Sequence, residues 1–366
     1  MAAPAAIAGP TGGTVVGGEA SIAAHGAETL IHQGSAKAVI NWNSYSVAPN
    51  ESVIYQQPGA SSIALNRVLG GAPSQILGSI QANGQVWLVN PNGVFFGRGA
   101  TVNVAGLLAT TADIANNDFL AGNYNFGTPS SNPNAAIVNN GTIIAAAGGS
   151  AVLAAPSVDN EGVIEARLGT VALGAGKTFA LDFDGDNLLR FQITSADDSL
   201  PLGPDGKPVS ALAKNAGSLK AGGGTVEVTA LAARDIVDNV INTTGIVEAD
   251  SVAVRNGTVI LSGTGGGVAV GGTVSAAGKI AGSTGGTVKV LGDRVTMAAG
   301  ATIDVSGAAG GGTVLIGGDT HGAGPDANSA TTTIAKGATI DADATRTGNG
   351  GEVAVWSEED TTFDGT

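Results

Sequence analysis

Few residues in this chain have the types and spacing that chemistry requires. The three histidines, His25, His32 and His321, are scattered, and no nucleophile elbow or His-based metal motif accompanies them. Cysteine is absent, which removes disulfides, thiolate metal sites and cysteine nucleophiles together. Leu181-Asp-Phe-Asp-Gly-Asp puts Asp182, Asp184 and Asp186 at alternate positions, as at the start of a calcium loop. Such a loop needs glycine sixth and glutamate twelfth, where this chain carries Asn187 and Ile193. A hairpin turn at Asp184-Gly185, projecting from the main body, is the preferred reading. Gly174-Ala-Gly-Lys-Thr invites comparison with a phosphate loop, but the pattern's first glycine falls on Val171. Phe179-Ala-Leu-Asp-Phe also reads as strand where a helix is required. Two near-copies, Gly300-Ala-Thr-Ile-Asp and Gly337-Ala-Thr-Ile-Asp, would stack Asp304 on Asp341, and β-helical polysaccharide lyases and hydrolases do gather carboxylates in a groove. Equivalent positions of any repeat stack in this way, so a solvated acidic ladder is expected. The residues assign no catalytic group, no cofactor and no metal.

The densest local signal is Ala82-Asn-Gly-Gln-Val-Trp-Leu-Val-Asn-Pro-Asn-Gly-Val-Phe-Phe-Gly-Arg-Gly. Asn83-Gly84 and Pro91-Asn92-Gly93 are both turn formers: proline presets φ at the first central position, while Asn and Gly accept positive φ. Between them, residues 85–90 are apolar on both faces, which predicts a buried strand. Four Asn-x-Ser/Thr sequons, at Asn50, Asn140, Asn242 and Asn256, are assigned mainly to turns, because Asn-Gly-Thr also suits a tight corner.

The elements that position these residues are strands. No long window carries apolar residues at helical spacing between caps. What recurs is glycine, a threonine or other small residue, then β-branched positions: Gly169-Thr-Val-Ala-Leu, Gly224-Thr-Val-Glu-Val, Gly257-Thr-Val-Ile-Leu, Gly286-Thr-Val-Lys-Val and Gly312-Thr-Val-Leu-Ile. Val138-Asn-Asn-Gly-Thr-Ile and Val158-Asp-Asn-Glu-Gly-Val-Ile repeat in the same manner. Glycine supplies 59 residues and aromatics only 4%, yet 43% of the chain is hydrophobic, which suits a thin rod with a one-layer aliphatic interior. An all-β, right-handed parallel β-helix follows, with like residues stacking and Asn and Thr forming ladders at corners. At ~4.8 Å per coil and roughly 22 residues per coil, the rod would be about 60–75 Å long. Nine of the fourteen aromatics lie in the first 126 residues, which places a bulky cap at the N-terminus. The chain's end, Asp364-Gly-Thr, has no cap signal, so a longer rod is expected to continue beyond it.

A net charge of −14 offers no basic stripe for phosphates and disfavours nucleic acid. No apolar run approaches the roughly 20 residues that span a bilayer. The start, Met1-Ala-Ala-Pro-Ala-Ala-Ile-Ala, lacks a basic segment and a leucine-rich core, so Met1 reads as a start placed on a mature N-terminus.

The stretch from Ala82 to Gly99 resembles the haemagglutination-activity, or two-partner-secretion, domain of filamentous-haemagglutinin-type exoproteins. The family's Asn-Pro-Asn-Gly-Ile stands here as Asn90-Pro91-Asn92-Gly93-Val94. Further blocks follow in family order: Thr14-Val-Val-Gly-Gly-Glu-Ala-Ser-Ile, Val39-Ile-Asn-Trp-Asn-Ser-Tyr-Ser-Val, Ala64-Leu-Asn-Arg-Val-Leu-Gly-Gly and Pro73-Ser-Gln-Ile-Leu-Gly. Ala154-Ala-Pro-Ser-Val-Asp-Asn-Glu-Gly and Leu181-Asp-Phe-Asp-Gly-Asp are similar to its later coils, so the resemblance covers about residues 10 to 195. It implies a secretion domain over 1–200, comprising cap and first coils, and a continuing rod over 201–366. It implies export through the periplasm of a Gram-negative bacterium, unfolded, to a dedicated outer-membrane barrel transporter with periplasmic domains, then folding at the cell surface. Asn83, Gly84, Asn90, Pro91, Asn92 and Gly93 would serve transporter recognition; a turn needed only for folding is the equal alternative. Host or bacterial surface glycans or receptors are the further partners implied. Two other readings stay open: the stalk of a contact-dependent toxin, and a β-helical polysaccharide lyase or hydrolase.

Overall fold

Along Thr225–Leu231 every second residue is buried and the others are half-buried, so one face of the strand looks inward and the other outward. Each such strand is too short to bury its apolar face alone, and does so by stacking on the next. The computed structural model describes residues 9–183, 189–203, 206–234, 236–253 and 255–366. Residues Asp184 to Asn187, on which the calcium-loop comparison turned, lie outside them.

Among the described residues the strands form three long sheets of twelve, ten and twelve members. The first sheet runs through 37–42, 63–68, 85–89 and 106–110 to 352–355. The second runs from 74–76 and 94–96 to 360–363, and the third from 28–33 and 52–56 to 339–341. The chain visits them in that order, and successive coils pair in parallel, giving a right-handed parallel β-helix. The paired phrases stack residue on residue: Thr302 on Thr339, Ile303 on Ile340 and Asp304 on Asp341. The polar ladder lies at the second corner, between second and third sheets. Asn139 donates to the Oδ1 of Asn160 (2.8 Å), Asn160 to that of Asn215 (2.8 Å), and Asn215 to the Thr243 hydroxyl (3.2 Å). All four are buried; the Oδ1 of Asn160 and of Asn215 each accept from the amide of the coil before, and that of Asn139 accepts from the Gly141 N–H (3.1 Å).

The repeated glycines form two columns, and backbone proximity sets both. A Cβ on Gly224 would lie 2.1 Å from the Gly169 carbonyl oxygen, and one on Gly286 equally close to that of Gly257. At the second corner Gly162, Gly217, Gly245 and Gly272 meet the carbonyl of the coil before in the same way. None of these has positive φ. A side chain would push adjacent coils apart.

Two expectations are corrected. The N-terminal end is closed by two antiparallel strands, Thr14–Gly17 on 37–42 and Ala20–His25 on 28–33, with no aromatic in either. The aromatics divide elsewhere. Trp42, Tyr45, Tyr55 and Phe96 fill the lumen, whereas Trp87, Phe119, Phe126, Phe179 and Phe191 form a second core on the outer face of the first sheet. That outer core is covered by an excursion containing the helix Asn116–Ala121 and by an antiparallel pair, Thr178–Phe183 with Leu189–Ser195. The pair is an extra-helical hairpin, as expected; its strands lie on the rod with Phe126 stacked on Phe179 at 4.6 Å, and the expected turn at Asp184-Gly185 lies outside the described residues. Gly174 leaves room for the Phe191 ring, which a Cβ would meet at 2.0 Å; this is the structural use of the phosphate-loop-like glycines. Because these excursions take residues out of the coils, twelve stacked strands at ~4.8 Å give a rod of roughly 55 Å, shorter than the coil count suggested.

Candidate functional site

Asn90 to Gly93 forms the first corner of its coil, between strands Gln85–Val89 and Val94–Phe96. The buried strand expected over 85–90 is found there. Gly93 N–H donates to the Asn90 carbonyl (3.0 Å), closing a turn, and Gly93 has φ +105. A Cβ at Gly93 would also sit 2.7 Å from the Ala136 carbonyl of the next coil, so two independent constraints demand glycine. Asn90 is fully buried. Its Oδ1 accepts from the Asn92 N–H (2.9 Å), while its Nδ2 donates to the Ser74 hydroxyl (2.9 Å) and the Ala72 carbonyl (3.1 Å). Asn92 Nδ2 donates to the Gly70 carbonyl (2.9 Å), and the Ser130 hydroxyl donates to the Pro91 carbonyl (2.6 Å). The four residues therefore tie one corner to the coil below, through residues 70–74, and to the excursion above, through Ser130.

Asn83 and Gly84 lie at the third corner, apart from that turn. Asn83 clamps Gln57 of the preceding coil with two bonds, accepting from its N–H and donating to its carbonyl, both at 2.7 Å. Gly84 has no positive φ; it is needed because a Cβ would meet Gln57 Oε1 at 2.5 Å. The six residues proposed as one motif thus occupy two separate corners.

Sequence reasoning passed over the side chains that connect the blocks. Asn66 is buried in the lumen, where its Oδ1 accepts from Trp42 Nε1 (3.0 Å) and the Tyr55 hydroxyl (2.9 Å), and Tyr45 lies 2.8 Å from Tyr55. Burial pushes both tyrosine hydroxyls well above their ordinary pKa, so both stay protonated donors. Arg67, next along the strand, points outward. It meets both carboxylate oxygens of Asp113 at 2.8 Å, the Ile114 carbonyl at 2.6 Å and Asn116 at 2.7 Å, and so pins the excursion to the first sheet. The alternation in Ala64-Leu-Asn-Arg-Val, with polar residues inside a fully buried strand, was the available signal.

Elsewhere the candidate groups have local structural uses. Asp304 Oδ1 accepts from the N–H and hydroxyl of Ser306, and Asp341 Oδ1 from the Asp343 N–H, so both carboxylates cap their own turns. Lys177 pairs with Asp198 at 2.6 Å. His25, His32 and His321 are exposed; His25 and His32 stand on paired strands but four positions out of register, and His321 lies in a distant coil.

A family model described as the TPS (two-partner secretion) secretion domain matches residues 6–282. The chain belongs to this family. A crystal structure of the HMW1 secretion domain from Haemophilus influenzae superposes with a TM-score of 0.80 at 30% identity, covering 98% of this chain and 99% of that one. Two Heme/hemopexin-binding proteins of Haemophilus influenzae are 35% identical over 259 residues and 32% over 244 residues. These alignments take in 69% and 63% of this chain. The chain spans only 27% and 26% of those relatives, about a quarter of their length. The structure is therefore that of a secretion domain of a two-partner-secretion exoprotein, a class exported to the surface of Gram-negative bacteria.

Proposed function

We propose that this chain directs export of its exoprotein through an outer-membrane transporter bearing periplasmic domains, and that the corner at Asn90–Gly93 is where export competence is set. The observation that carries the reading is that this corner joins its own family-like block to two others, through Gly70 and Ser74, and to the excursion through Ser130, while sitting in a chain matched end to end by a secretion domain. On this reading the corner acts in export by locking two coils and an excursion together. Catalysis is not part of this role, a reading supported by the turn-capping use of Asp304 and Asp341. Contacts with surface glycans or receptors belong to the rod after export. Heme or hemopexin capture is the named property of much longer relatives, of which this chain spans 27% and 26%, and is not assigned to this chain.

The test is secretion with the cognate transporter co-expressed. Gly93→Ala and Asn92→Ala should each lower extracellular protein several-fold without lowering synthesis. Secretion at the wild-type level from both variants would remove the assigned role. Refolding of the purified variants separates the two mechanisms: normal refolding with lost secretion points to transporter recognition, and slowed refolding to folding-coupled export.

A further inference from the structure

The first corner changes length along the C-terminal half of the rod, and the change creates a groove of about 1240 Å3. Its floor is two corners of two residues each, Gly265-Gly266 and Gly292-Asp293, between strands ending at 264 and 291 and strands starting at 267 and 294. Longer stretches of the same corner stand on either side. Arg234 and Ile236–Asp238 form one wall; Asn328, Ala330 and Glu358 form the other. The wall coils begin their second-sheet strands at Asn239 and Thr331, with two coils between, so the walls stand roughly 14 Å apart.

The floor's backbone is already paired from coil to coil. Gly267 N–H donates to the Asp238 carbonyl (2.9 Å), Asp293 N–H to that of Gly266 (3.2 Å) and Ala330 N–H to that of Asp293 (2.8 Å). An extended peptide therefore finds no free strand edge to extend. The side chains are in the opposite condition. Among the described residues, Arg234, Asp238, Asp293 and Glu358 make no side-chain hydrogen bond or ion pair, and Arg294 gives one bond, to the Asp238 carbonyl (2.8 Å). The Asn328 Oδ1 is buried without a donor. Among the described residues two guanidinium groups and three carboxylates share the groove, so a polyanion meets the carboxylates and a polycation the guanidinium groups. A hydroxyl both donates and accepts, and suits a mixture of unused donors and acceptors. Leu200, Val209, Ile236 and Val237 supply an apolar side for a C–H face.

We propose that this groove binds an uncharged oligosaccharide laid across the rod over Gly266 and Asp293. The proposal rests on the reading that the exported rod meets surface glycans, and is independent of how the rod is exported.

The purified chain should be titrated calorimetrically with cello-, malto-, xylo-, manno- and chitohexaose, and with a heparin hexasaccharide as the anionic control. The expected result is sub-millimolar binding of at least one uncharged hexasaccharide. Arg234→Ala, Asp293→Ala and Glu358→Ala should each weaken it tenfold or more at unchanged Tm. No uncharged ligand bound, binding of heparin alone, or wild-type affinity in all three variants would overturn the proposal. Secretion of these variants stays at the wild-type level, whereas failure of the export reading is read on Asn92→Ala and Gly93→Ala.

Discussion

Glu227 stands on the outer face of the first sheet with Ala172 below it and Ile260 above, and its carboxylate accepts one bond, from Thr229 (3.0 Å). Burial among these neighbours raises its pKa to about 7. The folded protein therefore holds this proton to higher pH than the unfolded chain does. The associated stability is complete below the unfolded pKa, near 4.3, and is lost as pH rises through about 7. Glu227→Gln should become more stable than wild type as pH goes from 5 to 8, by roughly 2–3 kcal/mol on urea titration; parallel curves would refute it. In the lumen, Asn66→Ala strands the Trp42 indole N–H and the Tyr55 hydroxyl together. A loss of about 2–4 kcal/mol is expected, measurable as a lower urea midpoint at constant slope. The turn residues at 90–93 were legible in the sequence because proline, asparagine and glycine carry their reasons locally. Asn66 and Arg67 were not, because what each satisfies lies up to 49 residues away, at Asn116.

Strands and corners obey a simpler rule. Five Gly-Thr-Val phrases, opening at Gly169, Gly224, Gly257, Gly286 and Gly312, mark the entry of first-sheet strands, and the register sets Thr225, Thr258, Thr287 and Thr313 in one column. Repetition makes these elements readable from the residues alone, since the same environment recurs in every coil. The reason for the glycine was less visible: it is the carbonyl of the coil beneath, which no local turn rule describes. Gly224→Ala should cost more than about 2 kcal/mol even though its φ suits alanine, whereas Gly59→Ala, with open space around it, should be near neutral; a thermal melt of each decides. The outer core misled for a related reason. Trp87 and Phe119 are large and apolar, and composition alone does not tell a capped end from a covered side. Burying each such ring contributes roughly 1.5–3 kcal/mol, so the excursion and the antiparallel pair are part of the fold's stability.

For the molecule as a whole, neighbours are everything, since a coil touches only the coils on either side. Amide exchange should therefore be slowest in the interior first-sheet strands 150–155, 170–175 and 225–231. It should quicken toward 352–355 and 360–363, where Val353 and Phe363 are exposed; uniform protection would contradict a nearest-neighbour solenoid. The three corners do not share the burden equally. The second, with its amide ladder and glycine column, stays two to four residues long from Leu77 to Ala338, while the first and third swell into excursions, loops and the groove. The second corner is the keel of the vessel and the other two are its deck. In a random pentapeptide-insertion library scored for folded, secreted protein, survivors should crowd at 317–330 and 342–351 and be missing from 140–141, 161–162, 216–217 and 244–245. The same geometry makes the rod a display scaffold, on which foreign loops can be mounted along two edges and never the third.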